Sequence, residues 1–177
     1  MALTLITGGS RSGKSAFAQH LAEGIDVPRC FLATCPRIDP EMDGRILRHQ
    51  RERQGKGWQT VEEPLCLADV LRCRSAEETV LIDCLTLWIS NLMHEAEQQG
   101  RELNEEHISA LTEELCRVAC ARQGKVILVS GEVGLGIVPD NPASRLFRDL
   151  TGRCNQVAAA AAEEVFLVCC GIPIKIK

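Results

Sequence analysis

Eight residues near the amino terminus, Gly8-Gly-Ser-Arg-Ser-Gly13-Lys14-Ser15, restrict the possible folds more than any other part of the chain. They follow the apolar run Ala2-Leu-Thr-Leu-Ile-Thr7 and precede an amphipathic stretch. A strand, a glycine-rich turn and a helix are thus expected in immediate succession, the setting a P-loop requires. Glycines let backbone N–H groups turn inward around phosphate oxygens, and the helix start adds partial positive charge. Gly8, Gly9, Ser10, Arg11, Ser12 and Gly13 are therefore read as the cradle of a nucleoside triphosphate. Lys14 is expected to reach its β- and γ-phosphates, and the Ser15 hydroxyl to ligate Mg²⁺.

A P-loop implies further parallel strands, and the apolar pattern supplies them. Runs at residues 2–7, 30–33, 80–83, 126–130 and 165–169 read as strands, continuous enough for a sheet covered on both faces. Helical patterns span residues 15–23, 41–53, 85–98, 105–122 and 143–162. Alternation of the two predicts an α/β, P-loop NTPase-like fold, with a mostly parallel sheet and helices on both faces. The ending Cys170-Gly-Ile-Pro-Ile-Lys-Ile-Lys177 has turn chemistry and predicts a C-terminal antiparallel edge hairpin. At 177 residues, with no linker or internal repeat, one nucleotide-binding domain spanning residues 1–177 is expected.

Composition excludes several other classes. With 45% hydrophobic and 25% charged residues the chain is neither disordered nor fibrous, and its net charge of -4 argues against nucleic acid as a partner. No apolar run approaches the length of a membrane span, and the start lacks the basic segment of an export signal, so a cytoplasmic location is expected. In that setting the ten cysteines read as reduced, and as small buried hydrophobes.

Two further groups carry chemistry. Val80-Leu-Ile-Asp83 ends an apolar run in an acid, and beside a P-loop such an acid is expected to join Ser15 at the metal. Arg45, His49 and Arg53 share one helix face at i, i+4 spacing. Guanidinium groups bind phosphate oxygens and disfavour the imidazolium, leaving a neutral nucleophilic ring. From these residues alone, a solvated basic face with an incidental histidine is the better reading.

Taken together, the segments resemble the bifunctional adenosylcobinamide kinase and adenosylcobinamide-phosphate guanylyltransferase family of cobalamin biosynthesis. The resemblance runs through Thr7 to Ser15, Arg45-Ile-Leu-Arg-His49 with Trp58, and Asp83-Cys-Leu-Thr-Leu-Trp-Ile-Ser-Asn91. It continues in Glu132-Val-Gly-Leu-Gly-Ile-Val-Pro139, Phe147-Arg-Asp-Leu-Thr-Gly-Arg-Cys-Asn-Gln156 and Ile174-Lys-Ile-Lys177. The chain departs from the family at Gln54-Gly55, where proline is usual, and at Gly131, where asparagine is common.

The resemblance implies two reactions. ATP or GTP phosphorylates adenosylcobinamide, and GMP from GTP then passes to adenosylcobinamide phosphate through a covalent GMP-histidine. His49 aligns with that histidine, which reverses the reading reached from its neighbours alone. Ala33, Thr34, Cys35, Gln50, Arg51, Glu52, Arg53 and Glu62 fall where the family contacts guanine nucleotide. The stretch from Glu132 to Pro139 reads as a loop closing over substrate, with Gly131, Gly134 and Gly136 as mobile points. A homotrimer is implied as well. The rival readings are a P-loop kinase with another acceptor, which retains no GMP on protein, and a GTP-dependent switch, which releases no pyrophosphate.

Overall fold

A computed structural model describes residues 3–25, 28–35, 51 and 53–177. Its centre is a seven-stranded sheet of order β3-β2-β4-β5-β1-β6-β7. The strands are β1 (Leu3–Gly8), β2 (Arg29–Ala33), β3 (Trp58–Glu62), β4 (Thr79–Asp83), β5 (Val126–Val129), β6 (Glu164–Cys169) and β7 (Ile172–Lys175). All pairs are parallel except β6 with β7, the expected antiparallel hairpin at one edge. The helices are α1 (Lys14–Glu23), α2 (Leu67–Cys73), α3 (Leu85–Gln98), α4 (Glu105–Cys120) and α5 (Pro142–Ala161).

Side chains alternate between the two faces of a strand, so each apolar run serves both. Leu3 and Leu5 of β1, Val80 and Ile82 of β4, and Val126 and Leu128 of β5 pack into one cluster with residues of α2, α3, α4 and α5. Ile6, Leu81, Ile127 and Val129 turn the other way, against Ala18 and Ala22 of α1. Burial on both faces is the reason these strands read as continuous rather than alternating runs.

Strand β3 and helix α2 were not anticipated. β3 is an edge strand whose residues are exposed or half-buried, and its Trp-Gln-Thr-Val-Glu sequence lacks an apolar run. It is held by parallel pairing to β2 and by the Trp58 indole N–H, which donates to Glu23 Oε1 at 3.1 Å. Helix α2 has only seven residues, too few to show a helical period. The helix expected at residues 143–162 is α5, whose alanine-rich end runs to Ala161. The reading of all ten cysteines as buried needs correction. Cys30, Cys116 and Cys154 are buried and Cys35 and Cys84 half-buried, whereas Cys66, Cys73, Cys120, Cys169 and Cys170 are exposed. These five sit at the ends of helices or strands or in turns, where a thiol meets water whatever its own hydrophobicity. No disulfide links any of the ten. The expected helix at residues 41–53 lies outside the described residues apart from Arg51 and Arg53.

Candidate active site

Strand β1 delivers the glycine-rich segment to the carboxyl edge of the sheet, and the loop closes there with the geometry its composition requires. Gly8 has φ 155° and Gly13 φ 96°. A side chain at Gly8 would begin 2.4 Å from the carbonyl oxygen of Val168 on β6, so only glycine fits. The turn between β6 and β7 braces the loop from outside, with Gly171 N donating to Ser12 O at 2.8 Å. Ser12 Oγ is buried and has no hydrogen-bond partner among the described residues.

Helix α1 starts from this loop with no side-chain cap and no acid in its first turn. By contrast, Asn104 caps α4 and Asn141 caps α5 through their side-chain oxygens. The first N–H groups of α1 therefore remain available to an anion, with the helix dipole behind them. Lys14 Nζ reaches back across the loop to donate to Gly9 O at 2.9 Å. Its ammonium is also felt at the end of β4, where it pulls against the shift of the Cys84 thiol. Burial first, and then the Asp83 carboxylate, push that thiol up to about 12. Cys84 therefore stays protonated and is no nucleophile.

The sheet register aligns the other expected positions in one row. Glu62 pairs with Ala33, Ala33 with Asp83, Asp83 with Val129, and Val129 with Ile6. Ala33, Thr34, Cys35, Glu62 and Asp83 thus lie along the same carboxyl edge as Gly8 to Ser15, where ligands bind in open α/β sheets. Strand β5 stands between Asp83 and the strand that carries the loop. At about 4.8 Å per strand, Glu62 is roughly 19 Å along this edge from β1.

Arg53 departs from the others. It is 5% exposed, and its guanidinium carbon lies 3.5 Å from the centroid of the Phe31 ring. Arg51 is exposed. Both line a cavity of about 500 Å³ with Gln54, Gly57, Trp58 and Thr60, beside β3. His49, Gln50 and Glu52 lie outside the described residues.

Several polar residues position this edge, and of these Thr86, Asn91 and Asn155 were given no role in the sequence. Thr34 Oγ1 donates to Cys84 O and accepts from Cys84 N, both at 2.8 Å, tying β2 to the end of β4. Asn91 Nδ2 donates to Thr34 O at 2.8 Å and to Pro64 O at 3.1 Å. Gly131 N donates to Thr86 Oγ1, and Asn155 Nδ2 donates to Gly131 O at 3.0 Å. Thr86 and Asn91 flank the buried stripe of α3 on opposite sides and their partners lie far away in sequence, so no local signal marked them.

Known proteins share this sequence over nearly its whole length. A model of the family described as cobinamide kinase / cobinamide phosphate guanyltransferase matches residues 4–176. The bifunctional adenosylcobalamin biosynthesis protein CobU of Escherichia coli is 39% identical, over 99% of this chain and 99% of its own. The bifunctional adenosylcobalamin biosynthesis protein CobP of Pseudomonas aeruginosa is 39% identical, over 98% of this chain and 96% of its own. The bifunctional adenosylcobalamin biosynthesis protein CobU of Salmonella typhimurium is likewise 39% identical, over 99% of each chain.

Proposed function

The chain belongs to the cobinamide kinase / cobinamide phosphate guanyltransferase family, and from that premise we propose that a single sheet edge carries both of its reactions. In the first, the γ-phosphate of ATP or GTP passes to the hydroxyl of adenosylcobinamide. In the second, a nitrogen of His49 attacks the α-phosphorus of GTP, pyrophosphate leaves, and the phosphate of adenosylcobinamide phosphate then takes the GMP from the histidine. The observation that carries the reading is the uncapped start of α1 behind a closed glycine loop, with Lys14 held across it.

Each assigned residue has a physical task in this scheme. Backbone N–H groups from Gly8 to Ser15 grip the β- and γ-phosphates, and Lys14 exchanges its bond to Gly9 O for phosphate oxygens as negative charge moves toward the leaving group. Ser15 and Asp83 offer hard oxygen donors, the kind Mg²⁺ takes, and would hold it against the phosphates, where it supplies charge neutralisation. Glu62, Ala33, Thr34 and Cys35 at the far end of the row are assigned to guanine, whose N–H edge a carboxylate can accept. On this reading the phosphate and base contacts fall at opposite ends of one edge. Arg51 and Arg53, with Gln50 and Glu52, are assigned to the nucleotide near His49.

The loop at residues 132–139 is assigned to the corrinoid, a large and partly apolar acceptor. Leu135, Ile137 and Val138 are 85%, 95% and 57% exposed there. Apolar side chains so open to water are suited to cover such a ligand. Among the described residues no helix is long and apolar enough to cross a membrane, and a cytoplasmic enzyme suits the substrates. The family resemblance further suggests a homotrimer.

Incubation with Mg²⁺ and GTP labelled on the α- or the γ-phosphate tests the central step. Acid-labile, alkali-stable label on the protein is expected from the α-labelled sample alone. It should vanish in His49→Ala, which retains transfer of γ-phosphate to cobinamide. A folded, GTP-binding protein that keeps no label returns the chain to a simple kinase.

A further inference from the structure

Kinase chemistry makes one demand that the residues assigned so far do not meet. Its nucleophile is an alcohol, whose proton must go to a base as the oxygen attacks. Guanylyl transfer makes no such demand. Imidazole attacks through a lone pair, and the phosphate of the second acceptor is already anionic.

Just beyond the end of β5 the chain carries a carboxylate, Glu132, whose backbone is fixed beside the glycine loop. This strand lies between β4, which ends in Asp83, and β1, which ends in the glycine loop. Beyond it the chain is anchored to β1 twice, Ser130 N donating to Ile6 O and Glu132 N to Gly8 O, each at 2.9 Å. Gly131 between them is gripped from both sides, by Thr86 of α3 and Asn155 of α5. Glu132 therefore emerges beside the first glycine of the loop. Successive loop carbonyls are held by its backbone N–H and by the Lys14 ammonium, which takes Gly9 O. The lysine assigned to the γ-phosphate and the backbone of Glu132 thus meet the loop one residue apart.

The carboxylate itself is half-buried and oriented. Its Oε1 accepts from Gly134 N at 2.8 Å, while no described residue donates to Oε2 or forms an ion pair with the group. A carboxylate steadied by one backbone N–H, with its other oxygen open, has the form of a proton acceptor. Leu135, Ile137 and Val138 follow directly, so the apolar surface assigned to the acceptor begins where this group is fixed.

We propose that Glu132 is the general base of the phosphoryl transfer. As the acceptor oxygen bonds to the γ-phosphorus, its proton passes to a Glu132 oxygen. The bridging P–O bond to the β-phosphate breaks, and nucleoside diphosphate leaves with that electron pair. Glu132 then returns the proton to water. This inference rests on the kinase reading above.

Full-length wild type, Glu132→Gln and Glu132→Asp are compared with Mg²⁺, labelled ATP or GTP and cobinamide. Glu132→Gln is expected to lower kcat for γ-phosphate transfer by about 10²- to 10⁴-fold, the usual range for a lost base. Its nucleotide Kd and its acid-labile GMP label from α-labelled GTP should remain, and Glu132→Asp should recover part of the lost rate. Kinase activity in Glu132→Gln within about threefold of wild type overturns the proposal, as does a parallel loss of kinase, GMP labelling and nucleotide binding. Wild type that phosphorylates no cobinamide overturns the kinase reading itself.

Discussion

Lys14 and Gly8 show how differently two residues of one loop act. Lys14 contributes a charge that moves from Gly9 O to phosphate, so Lys14→Ala should abolish both activities while leaving thermal unfolding nearly unchanged. Steady-state assays of the two reactions beside a melting curve check this. Gly8 contributes an absence of atoms. In Gly8→Ala the new methyl meets Val168 O at 2.4 Å at a φ of 155°, so β1 and β6 must part. Loss of nucleotide binding should here accompany a lower melting temperature, by about 1–3 kcal/mol of stability as in other overpacked sites. The loop motif announced both residues. The motif did not announce Thr34 as a clamp, because its partner Cys84 is 50 positions away in the chain.

At the scale of elements, the carboxyl edge depends on a few polar ties between neighbours. Thr34 is 1% exposed, and its hydroxyl satisfies both backbone groups of Cys84. Thr34→Val should therefore cost about 1–3 kcal/mol, the penalty of leaving buried backbone groups unpaired. Denaturant unfolding measures that cost, and nucleotide affinity should fall with it because Asp83 loses its anchor. Helix α1 is tied to β3 through Glu23, which meets the Trp58 indole at 3.1 Å and Lys56 Nζ at 3.2 Å. Burial draws the Glu23 carboxyl upward, but these two partners outweigh it, and it titrates below its ordinary value of 4.5. A depressed carboxylate stabilises the fold above that ordinary value and loses its effect as pH falls through the lower folded value. Glu23→Gln should accordingly lower stability near neutrality and flatten its decline in acid below pH 4.5, as followed by urea unfolding across pH. Helices α3, α4 and α5 were legible because each is long and striped. β3 and α2 were not, since a short edge element shows no period and is held by its neighbours.

For the whole molecule, the sheet edge at β7 bears on assembly. Ile172 and Ile174 of β7, and Ile176 just after it, are 65%, 48% and 60% exposed. A strand with alternate isoleucines at a sheet edge invites a second chain, although Lys175 between them and Lys177 after them limit indiscriminate pairing. If the proposed homotrimer uses this edge, Ile174→Asp should yield monomers by light scattering. Trimers that survive Ile174→Asp place the interface elsewhere.

The sequence by itself determined the phosphate loop, the α/β alternation, the terminal hairpin and the family, because each is written in contiguous residues whose spacing has a direct steric or hydrogen-bonding meaning. Only the tertiary structure decided which strand lies between Asp83 and the loop, and which side chains hold their ends in line. It also decided that Glu132 emerges beside Gly8. Strand order and register arise from contacts between residues far apart in the chain, and no local pattern encodes the distance between two ends of a sheet.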